Sequence, residues 1–395
     1  MDSLTKGGSA RGTRFLRTNW DAIRERLLSG TCQPSPVKEA LIPKGKGEMR
    51  RLGIPTVLDR FIQQALLQVL QPLFDPTFSR HSYGFRPGRS SREAIRAAQR
   101  HIQDGKRWVV DTDLETFFDR VNHDVLMGRL AARNSDRRVL GLIRRYLKAG
   151  LLSGGVVVER HEGTPQGGPL SPLLANVLLD EVDRELEGRG HAFIRYADDC
   201  NVHVRSRRAG DRVMGWLRRL FTGLHLKVNE AKSAVDLATR RKVLGYSFWL
   251  GPGGVVKRRV AKKAQDTAQD KLKERVRHTT RRRGGRSLVH VVRELRSYLP
   301  GWKAYYRLAD TPKVFAALDE WIRHRLRALQ LKHWKRGRTT FRQLRQLGLS
   351  QDEAARVAAC TRSLWRNPAL LAGMLLNKVL PIRFFDELGL PRLAT

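Results

Sequence analysis

The chain has 395 residues, an ordinary apolar content of 41%, and 76 Lys and Arg against 38 Asp and Glu, for a formal charge of +38. That length supports two or three domains with sizeable cores, and the composition excludes a disordered tail. No apolar run approaches the roughly 18 residues of a membrane span, and no basic-then-apolar segment opens the chain, so a cytoplasmic location is expected.

The cysteines Cys32, Cys200 and Cys360 are scattered and form no CxxC, which argues against a disulfide framework and a zinc module. Self-repulsion of this size calls for an anionic partner, and nucleic acid is the default. Arg dominates over Lys, which suits bidentate phosphate contacts and base stacking.

After a Gly/Ser/Arg-rich start, a helix is expected over Asn19 to Leu28. Residues 36–55 pattern as a β-hairpin, with Ala40, Leu41 and Ile42 on one strand and Leu52 and Ile54 on the other. Its basic residues Lys44, Lys46, Arg50 and Arg51 suit a clamp for a triphosphate or a template backbone, and equally a solvated turn. An amphipathic helix follows from Thr56 to Leu73, then a Gly/Pro-punctuated loop over 79–91 and a helix over 91–104. Trp108, Val109 and Val110 form a strand leading into Asp111 and Asp113, which alternation puts on one face. Phe117 and Phe118 pack as the chain turns into a helix.

The Gly/Pro loop 164–172 opens another helix, with Ser171 as N-cap and Pro172 in the first turn. In the stretch FIRYADDCNVHV, apolar residues flank Asp198 and Asp199, a pattern that predicts a hairpin with two carboxylates at its turn. Such neighbours repel unless they are solvated or share a cation, usually a divalent metal. A helix over 207–223 and a strand over 242–251 complete this part. From about residue 255 the composition shifts, with 27 Lys and Arg against 7 Asp and Glu between 257 and 345. Val314, Leu318, Trp321, Ile322, Leu326 and Leu329 recur at helical spacing, with Arg323 and Arg327 expected on the polar side. Residues 281–286 read as a basic loop, and 346–395 as a helical, less charged tail.

The order of parts carries the chemistry. A strand ends at Asp113, a Gln-Gly loop opens a helix, a hairpin carries Asp198 and Asp199, and Lys232 follows. A palm-type nucleotide polymerase has its parts in this order. In that reaction a primer 3′-OH attacks an α-phosphate, and two Mg²⁺ ions stabilise the attacking and leaving oxygens. Asp113 and Asp198 are assigned as bridging ligands and Asp199 as a supporting one, with the backbone carbonyl of Leu114 completing the sphere. Asp111 is expected to be structural and paired with a basic residue, and His123 to be a packing histidine.

Eight segments in order then resemble the bacterial group II intron-encoded reverse transcriptases (maturases). They are IPKGKGEMRRLGIPTVLDR (42–60), HSYGFRPGRSS (81–91), DTDLETFFDRVNHD (111–124), GTPQGGPLSPLLAN (163–176), RYADD (195–199), LKVNEAKS (226–233), VLGYSF (243–248) and GWKAYY (301–306). The resemblance implies an α+β right-hand fold, with fingers and palm bearing a small antiparallel sheet over 1–255. A basic helical thumb, or maturase X-like domain, would follow over 256–345 and a C-terminal helical segment over 346–395.

Residue by residue, the resemblance implies that Lys44 and Arg50 hold the incoming triphosphate and that Phe118 is the steric gate against a 2′-OH. Gln166 and Gly167 would contact template and nascent base pair, Lys232 would protonate pyrophosphate, and Leu244 and Gly245 would form the primer grip. The implied partners are intron RNA as template, a DNA primer or target, and dNTPs, with no membrane and with a homodimer left open. The implied function is RNA-directed DNA synthesis coupled to intron RNA binding, splicing assistance and mobility. A domesticated reverse transcriptase in phage defence or CRISPR function, or a non-catalytic RNA-binding maturase, are the alternatives. No Cys/His cluster follows the thumb, so a zinc endonuclease module is expected to be absent. The start MDSLTKGGSARG lacks the GVDG-like motif of relatives, so a short N-terminus is expected.

Overall fold

The computed structural model describes residues 4–45, 48–281, 285–310, 312–359 and 371–394; the side chains of 4–13, 44, 45, 48, 263, 264, 305 and 371–373 fall outside that description. Lys46, Cys360, Arg282 and Arg283 and the side chains of Lys44 and Tyr305 therefore lie outside the described residues. The chain divides into two compact units, Met1–Leu244 and Gly245–Thr395.

The first unit runs α1 (Leu4–Leu28), β1 (Val37–Gly45), β2 (Glu48–Ile54), α2 (Val57–Phe74), α3 (Ser91–Gln103), β3 (Trp108–Thr112), α4 (His123–Ala131), α5 (Arg137–Lys148), β4 (Leu151–Ser153), β5 (Val156–Val158), α6 (Ser171–Gly188), β6 (Ala192–Tyr196), β7 (Asp199–Val204), α7 (Arg207–Gly223), β8 (Ala234–Leu237) and β9 (Lys242–Val243). β1 and β2 form the expected basic hairpin and extend through β4 and β5 into one sheet. The central sheet has the order β6-β7-β3-β8, every neighbour antiparallel. The apolar side chains of α6 and α7 bury against it, joining Val110, Phe193, Val202 and Val204 to Leu174, Leu178, Val213 and Leu217 in one core. Burial of this apolar area is the main favourable term holding the sheet in place. Local signals agree with the elements: Ser90 and Glu93 form a reciprocal capping box at α3, and the Ser206 side chain caps α7.

Three expectations need correction. The first helix begins at Leu4 rather than Asn19, because each residue added to a formed helix gains a hydrogen bond without a new nucleation cost. Ser171 is the first helical residue rather than the cap; its hydroxyl donates to Pro165 O (2.7 Å) and accepts from Thr164 Oγ1 (3.0 Å). The strand expected over 242–251 is interrupted, since Leu244 (φ 50°) and Gly245 (φ 82°) both adopt left-handed backbone between β9 and the next strand.

The second unit comprises β10 (Tyr246–Leu250), β11 (Val256–Val260), α8 (Lys262–Thr279), α9 (Leu288–Tyr306), α10 (Pro312–His333), α11 (Gly337–Gln346), α12 (Gln351–Ala359), α13 (Leu371–Val379) and α14 (Ile382–Glu387). β10 and β11 pair antiparallel. Leu318, Ile322, Leu326 and Leu329 of α10 bury as the periodicity predicts, in a core that runs from Leu272 to Leu393. Arg327 departs from the expectation of a polar face. It is buried, its Nε and Nη2 donate to Leu380 O (3.0 and 2.9 Å), and its guanidinium lies over the Phe385 ring. Burial brings its pKa down to about 10.

In the first unit, α3 packs on the sheet with the His101 and His203 rings 5.6 Å apart. His203 is buried and neither ring nitrogen has a hydrogen-bond partner. Burial, reinforced by His101 and Lys106, pushes its pKa down to about 3. The folded protein thus keeps this imidazole neutral while the unfolded chain protonates it below about 6.5. Stability from this group is complete above that pH and is lost as pH falls towards 3, by about 1.4 kcal/mol per unit. Urea midpoints measured from pH 6.5 to 4.5 are expected to fall more steeply in the native chain than in a His203→Leu variant. Equal slopes would refute the assignment.

Candidate active site

The β6–β7 hairpin turns through Ala197 and Asp198, so Asp198 sits in the turn and Asp199 is the first residue of β7, paired with Tyr196. Ala197 is left-handed (φ 58°), a conformation that costs a non-glycine residue about 1–2 kcal/mol. Two contacts hold it there. Gly84 lies under the turn, so close that a Cβ would fall 2.2 Å from Ala197 N. From the other side, Arg195 Nη1 donates to Ala197 O (2.9 Å).

Arg195 itself is buried. Its Nε and Nη2 donate to the two oxygens of Asp183 in α6 (2.8 and 2.6 Å), Nη1 also donates to Asn176 Oδ1 (2.9 Å), and Nη2 to Ser82 Oγ (2.8 Å). Burial opposes the charge on both members of the pair, yet Asp183 carries the Arg195 guanidinium above its ordinary pKa. Asn176 also donates to Gly84 O (3.0 Å), and Tyr83 N donates to Arg195 O (2.8 Å), so α6, the hairpin and the 81–84 loop form one unit.

Asp113 follows β3 directly. The register pairs Thr112 with Cys200 and Asp111 with Asn201, and one further step brings Asp113 alongside Asp199. Strand alternation puts Asp111, Asp113, Asp199 and Asn201 on one face. The Asp113 main chain is clamped, its amide accepted by Ser233 Oγ (3.0 Å) and its carbonyl bonded by Asn229 N (2.8 Å). The isolated bridge Leu114–Val228 uses the carbonyl of Asp113 and the amide of Glu115, and leaves the Leu114 carbonyl out of the pairing. Lys232 Nζ stands 4.0 Å from Asp113 Oδ1. Asp111 is paired as expected: Arg241 donates twice to Oδ2 (3.0 and 2.6 Å), and Asn201 donates to Oδ1 (2.7 Å). Asp199 is exposed by surface area, but local desolvation, then Asp198, Asp113 and Asp111, push its pKa up to about 7. Burial is the largest cause, and the three neighbouring carboxylates add to it.

Two of the remaining predicted residues, Phe118 and Gln166, are tied in through the main chain. Phe118 is half-buried, edge-on to Phe117 and to the exposed Phe85, and its carbonyl accepts from Thr164 N (2.7 Å). Gln166 O accepts from Gly53 N (3.0 Å), which docks the Gln-Gly loop on the strand that carries the exposed Arg50. Gly167 has φ 137°, and a Cβ on it would fall 2.9 Å from Gly53 O. His123 is buried against Gly163 O (2.8 Å), in keeping with packing. Leu244 and Gly245 lie where the two compact units divide. Roles for Arg195, Asp183, Asn176, Ser82, Asn229, Ser233 and Arg241 were not anticipated. A signal existed for Arg195, since period-two alternation places it on the core side with Phe193.

Residues 42–248, over half of the chain, match the reverse transcriptase (RNA-dependent DNA polymerase) family. The chain belongs to that family. Residues 269–348 match the group II intron maturase-specific domain. Over 171 residues the chain is 43% identical to Protein YkfC of Escherichia coli, covering 42% of this chain and 45% of that protein. Over 186 residues it is 38% identical to the group II intron-encoded protein LtrA of Lactococcus lactis, covering 45% and 31%. It thus spans less than half the length of these relatives. Among solved structures, a partial Cas6-RT-Cas1–Cas2 complex aligns at 30% identity and a TM-score of 0.34, covering 53% of this chain and 37% of that one. The fold is the α+β reverse transcriptase fold, and the Asp113, Gln166 and Asp198 segments all fall inside the matched family region.

Removing one partner of the Arg195–Asp183 pair strands a buried charge. Arg195→Met is expected to cost about 3–5 kcal/mol, measured by urea unfolding. The double variant Arg195→Met/Asp183→Leu should recover part of that loss, and a double variant worse than the sum of the singles would contradict the pairing.

Proposed function

We propose that the protein is an RNA-directed DNA polymerase that extends a DNA primer on an RNA template and binds the RNA of its parent group II intron, assisting splicing and mobility. The observation that carries this is the β3–β7 register, which brings Asp113 to the hairpin of Asp198 and Asp199 within a chain of the reverse transcriptase family. The maturase-specific region supports the intron part of the reading, and the charge of +38 supports a polyanionic partner.

Three carboxylates and a main-chain carbonyl make an all-oxygen donor set, which suits Mg²⁺. Among the described residues no three His, Cys, Asp or Glu side chains form a ready-made cage. Mg²⁺ in general binds through one or two carboxylates together with substrate phosphates and water. Asp113 and Asp198 would hold two Mg²⁺ ions, with Asp199 and the Leu114 carbonyl in support. The ions would supply charge stabilisation at the attacking and leaving oxygens of the transferring phosphoryl group.

The chain's own groups have distinct tasks. Arg50, with Lys44, binds the triphosphate. Phe118 occupies the space a 2′-OH would need, held by its aromatic neighbours and the tie to Thr164. Gln166 and Gly167 pack against template and nascent base pair, where the lack of a side chain at Gly167 admits close approach. Lys232, beside Asp113, delivers a proton to the leaving pyrophosphate. Leu244 and Gly245 support the primer end.

Asp198→Ala is expected to lower primer extension on an RNA template by at least about 10²–10³-fold, with RNA affinity at matched salt unchanged. Undiminished cDNA synthesis would remove the polymerase assignment and leave an RNA-binding maturase. Phe118→Ala is expected to raise ribonucleotide incorporation relative to dNTPs by at least about 10-fold, read from single-nucleotide extension. Unchanged discrimination would take the gate role from Phe118.

A further inference from the structure

A second aromatic ring stands beside Phe118, on backbone that a phenylalanine seldom adopts. Phe85, in the loop between α2 and α3, is left-handed (φ 60°) and 43% exposed. Both features are unfavourable. Left-handed backbone crowds the Cβ against the following carbonyl oxygen, and a phenyl ring left in water forgoes the gain of burial. Glycine at this position would avoid both costs.

The chain is fixed on either side of this residue. Before it, Tyr83 N donates to Arg195 O (2.8 Å), and Gly84 O accepts from Asn176 Nδ2 (3.0 Å). After it, the Arg86 guanidinium is fully engaged. Its Nε donates to Asp75 Oδ1 (2.9 Å), Nη2 to Asp75 O (2.8 Å), and Nη1 to Ser79 O (2.6 Å) and Ser82 O (3.1 Å). These anchors hold residue 85 in a conformation that would otherwise relax. Backbone held in this way clusters at active sites and ligand clamps.

Two contacts place the ring at the candidate site. The preceding Gly84 lies against Ala197, in the turn that carries Asp198. The Phe85 ring itself is 6.5 Å from the Phe118 ring, with the planes inclined at 62°. Bracing Phe118 explains the shared edge and leaves the exposure of Phe85 unexplained. Phe117, which is buried, already braces Phe118 from 5.1 Å. An open phenyl face is a surface on which any nucleobase can stack, whatever the sequence. A nucleoside presents its ribose and its base as two surfaces at a steep angle, and two inclined rings offer one wall to each.

We infer that Phe85 is a second aromatic contact for the incoming nucleotide, meeting its base while Phe118 faces its ribose. The inference rests on the proposed reading of Phe118 as the gate. The anchored loop serves to aim the Phe85 ring, and the left-handed backbone is what that aim requires.

Single-nucleotide extension on one set of template–primers gives kcat and KM for each dNTP. Phe85→Ala is expected to raise KM at least about five-fold for all four dNTPs, with kcat changed less than two-fold. Phe85→Tyr should restore KM to within two-fold of the native value, and Phe85→Leu should not. The rise should be equally large in a Phe118→Ala background, because a contact with the base does not pass through the gate. Phe85→Gly should show the same raised KM while unfolding at higher urea than Phe85→Ala, which separates loss of the contact from loss of the fold. An unchanged KM in Phe85→Ala, or full restoration by Phe85→Leu, overturns the contact. A rise that vanishes in the Phe118→Ala background also overturns it and makes Phe85 a brace of the gate. Weaker template–primer binding with dNTP KM unchanged overturns it in favour of a template contact. Unchanged ribonucleotide discrimination in Phe118→Ala, alongside the raised KM of Phe85→Ala, refutes the gate alone and supports the base contact.

Discussion

The geometry of the candidate site depends on a single buried guanidinium. Arg195 has five N–H groups, and each has an acceptor: two on Asp183, one each on Asn176, Ala197 and Ser82. Moving such a charge out of water is expensive, and a buried ion pair is often no more stabilising than a packed apolar pair. Its value here is geometric. A planar fork with five committed donors has one orientation, and the acceptors come from a helix, a loop and the hairpin itself. The turn that carries Asp198 is therefore positioned by a network beneath it.

The same economy recurs around the other proposed residues. Asp113 is fixed through its main chain by Asn229 and Ser233, Phe118 through its carbonyl by Thr164, and Gln166 through its carbonyl by Gly53. In each case it is the backbone that these ties hold. Asp111 shows the contrast. It shares a face with Asp113, but Arg241 and Asn201 occupy its carboxylate, so its charge is spent on structure. At the hairpin end, burial first and then the neighbouring carboxylates Asp198, Asp113 and Asp111 raise the pKa of Asp199.

Much of this was legible in local pattern. Period-two runs located β3, β6 and β7, helical spacing located α7 and the buried stripe of α10, and the Asp pair stood out between two strands. What local pattern could not supply was the partner of each polar group. The destination of Arg195 depends on Asp183 and Asn176, twelve and nineteen residues away in another element. Arg327 read as a solvent-facing residue because helical spacing places it beside Arg323, whereas its guanidinium reaches a carbonyl in a distant turn. The interruption at Leu244 was hidden because leucine seldom takes a positive φ, so only Gly245 hinted at it.

The final segment of the chain has a consequence for handling the protein. Leu376, Leu380, Phe385, Leu390 and Leu393 belong to the core of the second unit. Asp319 receives the amides of Leu393 and Ala394, and Arg327 donates to Leu380 O. Two buried charges of opposite sign on α10 are thus each neutralised by backbone from this segment, and not by each other. Trimming the chain after Val379 to isolate a smaller helical module would leave both charges enclosed without their partners. Shortened or fused versions of the chain should therefore keep this segment intact, because it closes the helical unit electrostatically as well as sterically.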